Sequence, residues 1–257
     1  MKFQPILIAL ITLFTVVSCK KENDPIVPVV PATAELTITF KALYDGVPLQ
    51  KNKSYDYDSY KVQFSQFNTY LSDIKLLNGT AETLLSESEY INFTPSAAAD
   101  DKSVEVTLKV TIPTGLYTGI KMGYGVKPSL NAKAPSDFPA GHPLAQEVEY
   151  WPGWKSYIFN KIEGQGDSNN DQMDDIFMIF HCGSDKVYRE ASFAQIMDIK
   201  GDASLSVEFD LKKVFYADNA WWDLTQDKNA FTSNLATDTR VAAVLMDNFD
   251  NATTIKF

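Results

Sequence analysis

Histidine is scarce in this chain, with two among 257 residues, and cysteine is equally scarce. His142 and His181 have no short spacing between them, so spacing alone gives only a weak metal pattern. Positive charge is also short: 23 Lys and Arg stand against 33 Asp and Glu, a formal net charge of −10. Such a balance argues against nucleic acid and against electrostatic adhesion to anionic lipid, and it is compatible with attracting cations. Helical signals are weak, no internal repeat is visible, and no composition break marks a second domain boundary. The apolar run from Ile6 to Val17 is too short to span a bilayer as a permanent helix.

That run, placed behind Met1-Lys2, reads as the apolar part of a secretory leader, and it ends in Val16-Val17-Ser18-Cys19, a lipobox. Cleavage there leaves Cys19 as an acylated N-terminus, so the mature protein is expected on a membrane through lipid, without crossing it. Residues 1–19 are the leader, and the loss of Lys2 takes the charge from −10 to −11. Lys20 to Ala34 carries charges and then three prolines, the composition of a semi-rigid tether. The remaining 35–257 suit one domain. With Cys19 lipidated, Cys182 has no partner, so no internal disulfide is expected, and Cys182 is either buried or functional.

Alternating apolar and polar residues predict strands at Glu35–Tyr44, Ser103–Ile112, Tyr117–Val126 and Leu205–Phe215, with Thr253–Phe257 closing a sheet. The glycines of Tyr117–Val126 suggest a bulge or close backbone approach. Tyr60–Leu77 reads as two strands around a bend. Asn229–Leu235 suits a turn or two of helix, and Asp238–Phe249 a helix capped by Asp238 or Thr239. Many short strands with Gly, Pro and Asn turns imply an all-β sandwich with one or two short helices.

Chemistry concentrates between His142 and Asp185, which hold both histidines, two of the four tryptophans and the densest acidic cluster. Asp175 to Cys182 is a continuous apolar run that suits a strand buried on both faces. Alternation puts Phe177, Ile179 and His181 on one face and Ile176, Met178, Phe180 and Cys182 on the other. His181 and Cys182 therefore point oppositely, and His181 pairs with a distant residue. The bland alternatives are a core histidine at 181 satisfied by one hydrogen bond, and a solvent-exposed loop histidine at 142. Tyr150-Trp151-Pro152-Gly153-Trp154 crowds aromatics around a turn, as an end plug of the sandwich or as a platform beside a ligand, sugar or metal. Asp167, Asn169, Asp171, Asp174 and Asp175 space oxygen donors as a Ca²⁺ loop does, although Gln172 and Met178 depart from an EF-hand. A solvated acidic hairpin is the other reading.

The segments FNTYLSDIKLL (67–77), GLYTGIKMGYGVKPSLN (115–131), His142-Pro143-Leu144, YWPGWKSYIFNKIEG (150–164), FHCG (180–183) and, more loosely, 242–255 resemble the MbnP-like family of exported copper-binding proteins. The resemblance implies an immunoglobulin-like β-sandwich in the cell envelope, on an outer membrane facing periplasm or surface. It also implies one copper ion, bound as Cu(I) by histidines beside a tryptophan. Carried over by position, His142 and His181 become the ligands and Trp151 or Trp154 their neighbour, with Met122, Met178 and Cys182 as candidate soft donors. Expected partners are a dihaem tryptophan-oxidising enzyme or an outer-membrane transport protein. The chain departs from the pattern at Glu149, where relatives often carry methionine, at the tryptophan pair separated by Pro152-Gly153, and at Thr232–Thr239, which lacks a further histidine.

The first expectation is thus a lipid-anchored, non-catalytic copper protein of acquisition or storage. The alternative is a lipoprotein that binds a glycan or protein partner through its aromatic turn. An enzymatic reading would require a carboxylate pair in a cleft at glycosidase separation, for example two of Glu147, Glu149 and Asp167.

Overall fold

Period-two alternation folds the first described segment into β1 (Thr33–Tyr44), with Ala34, Leu36, Ile38, Phe40, Ala42 and Tyr44 buried along one face. The structure, a computed structural model, describes residues 32–94 and 102–257. The leader, the lipobox and nearly all of the expected tether lie outside the described residues. β1 begins at Thr33, two residues ahead of the expected domain start.

The strands that frame the site are β2 (Tyr60–Asn78), β3 (Ala81–Asn92), β4 (Val106–Pro113), β5 (Gly115–Tyr124), β6 (Asn160–Asp167), β7 (Ile176–Cys182), β8 (Arg189–Ile199), β9 (Ala203–Asp210), β10 (Asn229–Phe231) and β11 (Thr253–Lys256). One sheet runs β11-β9-β1, with β4 and the short Val47–Pro48 strand also on β1; the other runs β8-β5-β2-β6-β7-β10, with β3 and Tyr55–Tyr57 also on β2. β1 and β9 pair in parallel from Leu36↔Ala203 to Leu43↔Asp210. The sandwich expected from the strand pattern is present.

Among the described residues three α-helices, where one or two were expected, join it: α1 (Pro128–Asn131), α2 (Leu211–Phe215) and α3 (Arg240–Ala252). α3 buries Ala242, Leu245, Met246, Phe249 and Ala252, a helical stripe. Phe249 meets Phe67 of β2, Tyr124 of β5 and Phe209 of β9 with ring centroids 6.3, 5.6 and 6.3 Å away. The helix thereby closes one end of the core against both sheets. No helix among the described residues is long and apolar enough to cross a membrane.

Four local expectations change. Residues 60–78 form one strand whose bend is at Asp73, φ 48°; pairing with β5 slips register between Ser72 and Lys75, and pairing with β3 between Ile74 and Lys75. The alternation of 205–215 stops at Asp210, whose carboxylate accepts the N–H of Asp45, Gly46 and Lys212 and so caps α2. Residues 229–231 form an edge strand parallel to β7. β7 is buried on one face only, because Phe177 is 59% exposed while Met178 is 1% exposed. The glycine reading of β5 holds: a Cβ on Gly119 would lie 2.4 Å from the Phe193 carbonyl oxygen.

Candidate metal centre

β2, β3, β6, β7 and β10 present one continuous row of side chains on the outer face of the larger sheet. Cross-strand register gives Asn92↔Asn68, Asn68↔Lys161, Lys161↔His181 and His181↔Phe231. Partners in register share a face, so these side chains are neighbours. Glu163, two residues on from Lys161, is the diagonal neighbour of His181 and places Oε1 2.6 Å from its Nε2.

The segment between β5 and β6 roofs this row. Tyr70 donates its hydroxyl to Pro143 O at 3.1 Å, and Tyr157 donates to Leu144 O at 2.7 Å. Glu149 is almost fully buried; it accepts the Tyr90 hydroxyl at 2.8 Å and pairs with Lys161 Nζ at 2.8 Å. Burial, with Glu149 alongside, holds the Tyr90 phenol far above its ordinary range, so it stays a neutral donor. The phenol hydrogen-bonds one carboxylate oxygen, while the other is buried with no aligned hydrogen bond and has the Lys161 ammonium 2.8 Å away.

His181 has a side chain only 17% exposed. Burial lowers its pKa, outweighing the upward pull of Glu163. A neutral ring facing a carboxylate must carry its proton on Nε2, which leaves the Nδ1 lone pair without a hydrogen-bond partner among the described residues. The Trp151 ring lies 5.9 Å from the imidazole and Phe231 lies 5.4 Å away, edge on. Trp154 meets Trp151 at 4.3 Å and 79°, so both tryptophans of the aromatic turn belong to this corner.

His142 is arranged the opposite way. Its Nδ1 accepts the Leu144 N–H at 3.1 Å, and its ring stacks on Phe138 at 4.6 Å. A backbone N–H can only donate, so the Nδ1 lone pair is used and the neutral ring holds its proton on Nε2. His142 lines a cavity of about 360 Å³ with Glu89 and Tyr90 of β3. That strand lies three strand spacings from β7, roughly 14 Å. Among the described residues no hydrogen bond or ring contact joins the two histidines; Tyr90, Glu149 and Lys161 form the polar chain between their two surroundings.

The soft donors are also placed elsewhere. Met122, Met178 and Cys182 are fully buried core residues, and Met178 and Cys182 face away from His181 by strand alternation. Burial pushes the Cys182 thiol up to about 12. No cluster of three or more His, Cys, Asp or Glu side chains assembles among the described residues. A metal ion would be offered one imidazole nitrogen here, at His181, with a carboxylate behind it and aromatic rings beside it. That nitrogen fits the metal, since an imidazole whose second nitrogen donates to a carboxylate is an oriented and more basic ligand.

The acidic loop does not gather its oxygens around a centre. Asp167 accepts the N–H of Asp171 and Gln172, Asn169 that of Asp171, Asp171 that of Met173, and Asp175 takes Ser168 through both its N–H and its hydroxyl. Asp174 accepts from Gln165. These groups cap the β6–β7 hairpin, so its geometry corrects the Ca²⁺ reading in favour of the self-capped acidic hairpin.

Glu163, Lys161, Tyr90 and Phe231 were not singled out from the sequence. Counting back from the hairpin would have found the first two, because Gly166↔Ile176 carries Lys161 to His181.

No curated protein matches the chain. Its fold is like that of MbnP from Methylosinus trichosporium, at a TM-score of 0.55 and 12% identity over 87% of this chain and 98% of that one. The MbnP family model matches residues 33–236, from the start of β1 past the aromatic corner, and the chain belongs to the MbnP family.

Proposed function

We propose that this chain is a non-catalytic copper-binding protein of the cell envelope, tethered through Cys19, that takes Cu(I) on His181 beside Trp151. The observation that carries the proposal is the His181–Glu163 pair at 2.6 Å, which fixes the proton on Nε2 and leaves Nδ1 as a lone-pair donor. Family membership supports copper as the metal. The net charge of −10 favours approach of a cation. His142 is not assigned as a co-ligand, because its own lone pair is used by Leu144.

The test is copper content after anaerobic Cu(I) loading and desalting. The wild-type protein and the His142→Ala variant are expected to retain stoichiometric copper, and His181→Ala to retain none. Equal retention by wild type and His181→Ala would refute the assignment.

A further inference from the structure

We infer that the cavity under the 141–146 segment is a second binding site, suited to an amino sugar: a pyranose bearing a free ammonium among its hydroxyls. It stands apart from the copper reading and needs no metal. The cavity, about 360 Å³, lies between Glu89 and Tyr90 of β3 and a roof that includes His142 and Gln146. That volume falls in the range of small-molecule sites.

Charge decides the sign of the guest. On β3, Glu82 pairs with Lys75 at 2.8 Å and Glu87 with Lys127 at 2.9 Å. Glu89 accepts the Ser86 hydroxyl at 2.7 Å and has no cationic partner among the described residues. No lysine or arginine among them lines the cavity. A carboxylate left in this state favours an ammonium, whose charge-assisted hydrogen bond is stronger than that of a neutral donor.

The other polar groups match hydroxyls. Ser88 lies two residues from Tyr90 in β3, on the same face by alternation, and its buried hydroxyl has no hydrogen-bond partner. Asn68 donates its amide to the Tyr90 hydroxyl at 2.9 Å, while its own carbonyl oxygen is buried and unpartnered. Two such oxygens beside one wall residue are unusual, and both accept hydrogen bonds. The roof offers the opposite polarity: Leu144 N–H occupies His142 Nδ1, so the neutral ring presents an Nε2–H, and the Gln146 side chain lies beside it. A sugar hydroxyl both donates and accepts, so one ring can serve both walls. The Tyr90 ring, held against Tyr70 at 5.0 Å, adds an apolar face for the C–H groups of a pyranose.

The probe is D-glucosamine, titrated into the protein at pH 7 against N-acetyl-D-glucosamine and D-glucose, which keep the ring and remove the charge. Binding is read by calorimetry and by backbone amide shifts. The expected result is one-to-one binding of glucosamine, about ten-fold tighter than either neutral sugar, with shifts centred on residues 88–90 and 141–146. Glu89→Gln should erase that preference; Glu89 is partly exposed on a strand at the sheet's edge, so the variant should fold. His181→Ala should bind all three sugars as the wild type does. Equal binding of the three sugars by the wild type would overturn the inference, because the charge would play no part. A preference that survives in Glu89→Gln would overturn it as well, since the ammonium would then be drawn by the acidic surface at large. So would the absence of saturable glucosamine binding.

Discussion

Two imidazoles in one chain can differ in function because of which nitrogen is tied. At His181 the tie is to the Glu163 carboxylate through Nε2, and at His142 it is to a backbone N–H through Nδ1. Replacing Glu163 by alanine removes the group that orients the ring and fixes its tautomer. Copper affinity should then fall by about 10–100-fold, measured by competition with a chromophoric Cu(I) chelator. An unchanged affinity would mean that Glu163 is a bystander. Cys182 leads to a different expectation. Its thiol is pushed up to about 12 by burial, so it stays protonated as pH rises through 8. The folded protein should resist alkylation by iodoacetamide at pH 8 and be labelled only once unfolded. Rapid labelling of the native protein would place the thiol at the surface.

The elements that build the site are β6 and β7 and the hairpin joining them. Gly164 lies next to Glu163 where β6 slips register against β2, and a Cβ there would stand 2.1 Å from the Gln63 carbonyl oxygen. Since that contact is backbone, Gly164→Ala should cost about 1–3 kcal/mol by urea unfolding and should also weaken copper binding by displacing Glu163. A neutral effect on both would show that the strands can separate freely there. This hairpin also shows what the sequence disclosed. Alternation correctly put His181 and Cys182 on opposite faces, because side-chain direction in a strand is a local property. Burial of the second face of β7 was misjudged, because Phe177 lies on an apolar run yet no element among the described residues covers it. The convergence of His142 with His181 was likewise not a local matter: it depended on which strand the 126–157 segment lies over. The acidic spacing suggested Ca²⁺ because a self-capped turn and a cation loop both place oxygens at alternate positions.

At the scale of the molecule, the all-β sandwich was legible because its strands alternate and its turns carry Gly, Pro and Asn. The role of α3 was not, since a helix stripe states that a face is buried without naming what buries it. Phe249 joins rings from both sheets, so Phe249→Ala should destabilise the protein by about 3–5 kcal/mol, read as a lower urea midpoint. Such a loss, with copper binding retained by the folded fraction, would separate the frame from the site; a loss below 1 kcal/mol would mean that the helix end is loosely packed. The central claim is that one nitrogen of one histidine meets the metal. It is tested most directly by the ¹⁵N resonances of the two imidazoles before and after one equivalent of Cu(I). Both rings should begin with the proton on Nε2, and copper should move His181 Nδ1 while leaving His142 unchanged. Movement of His142, or of neither ring, would contradict the assignment.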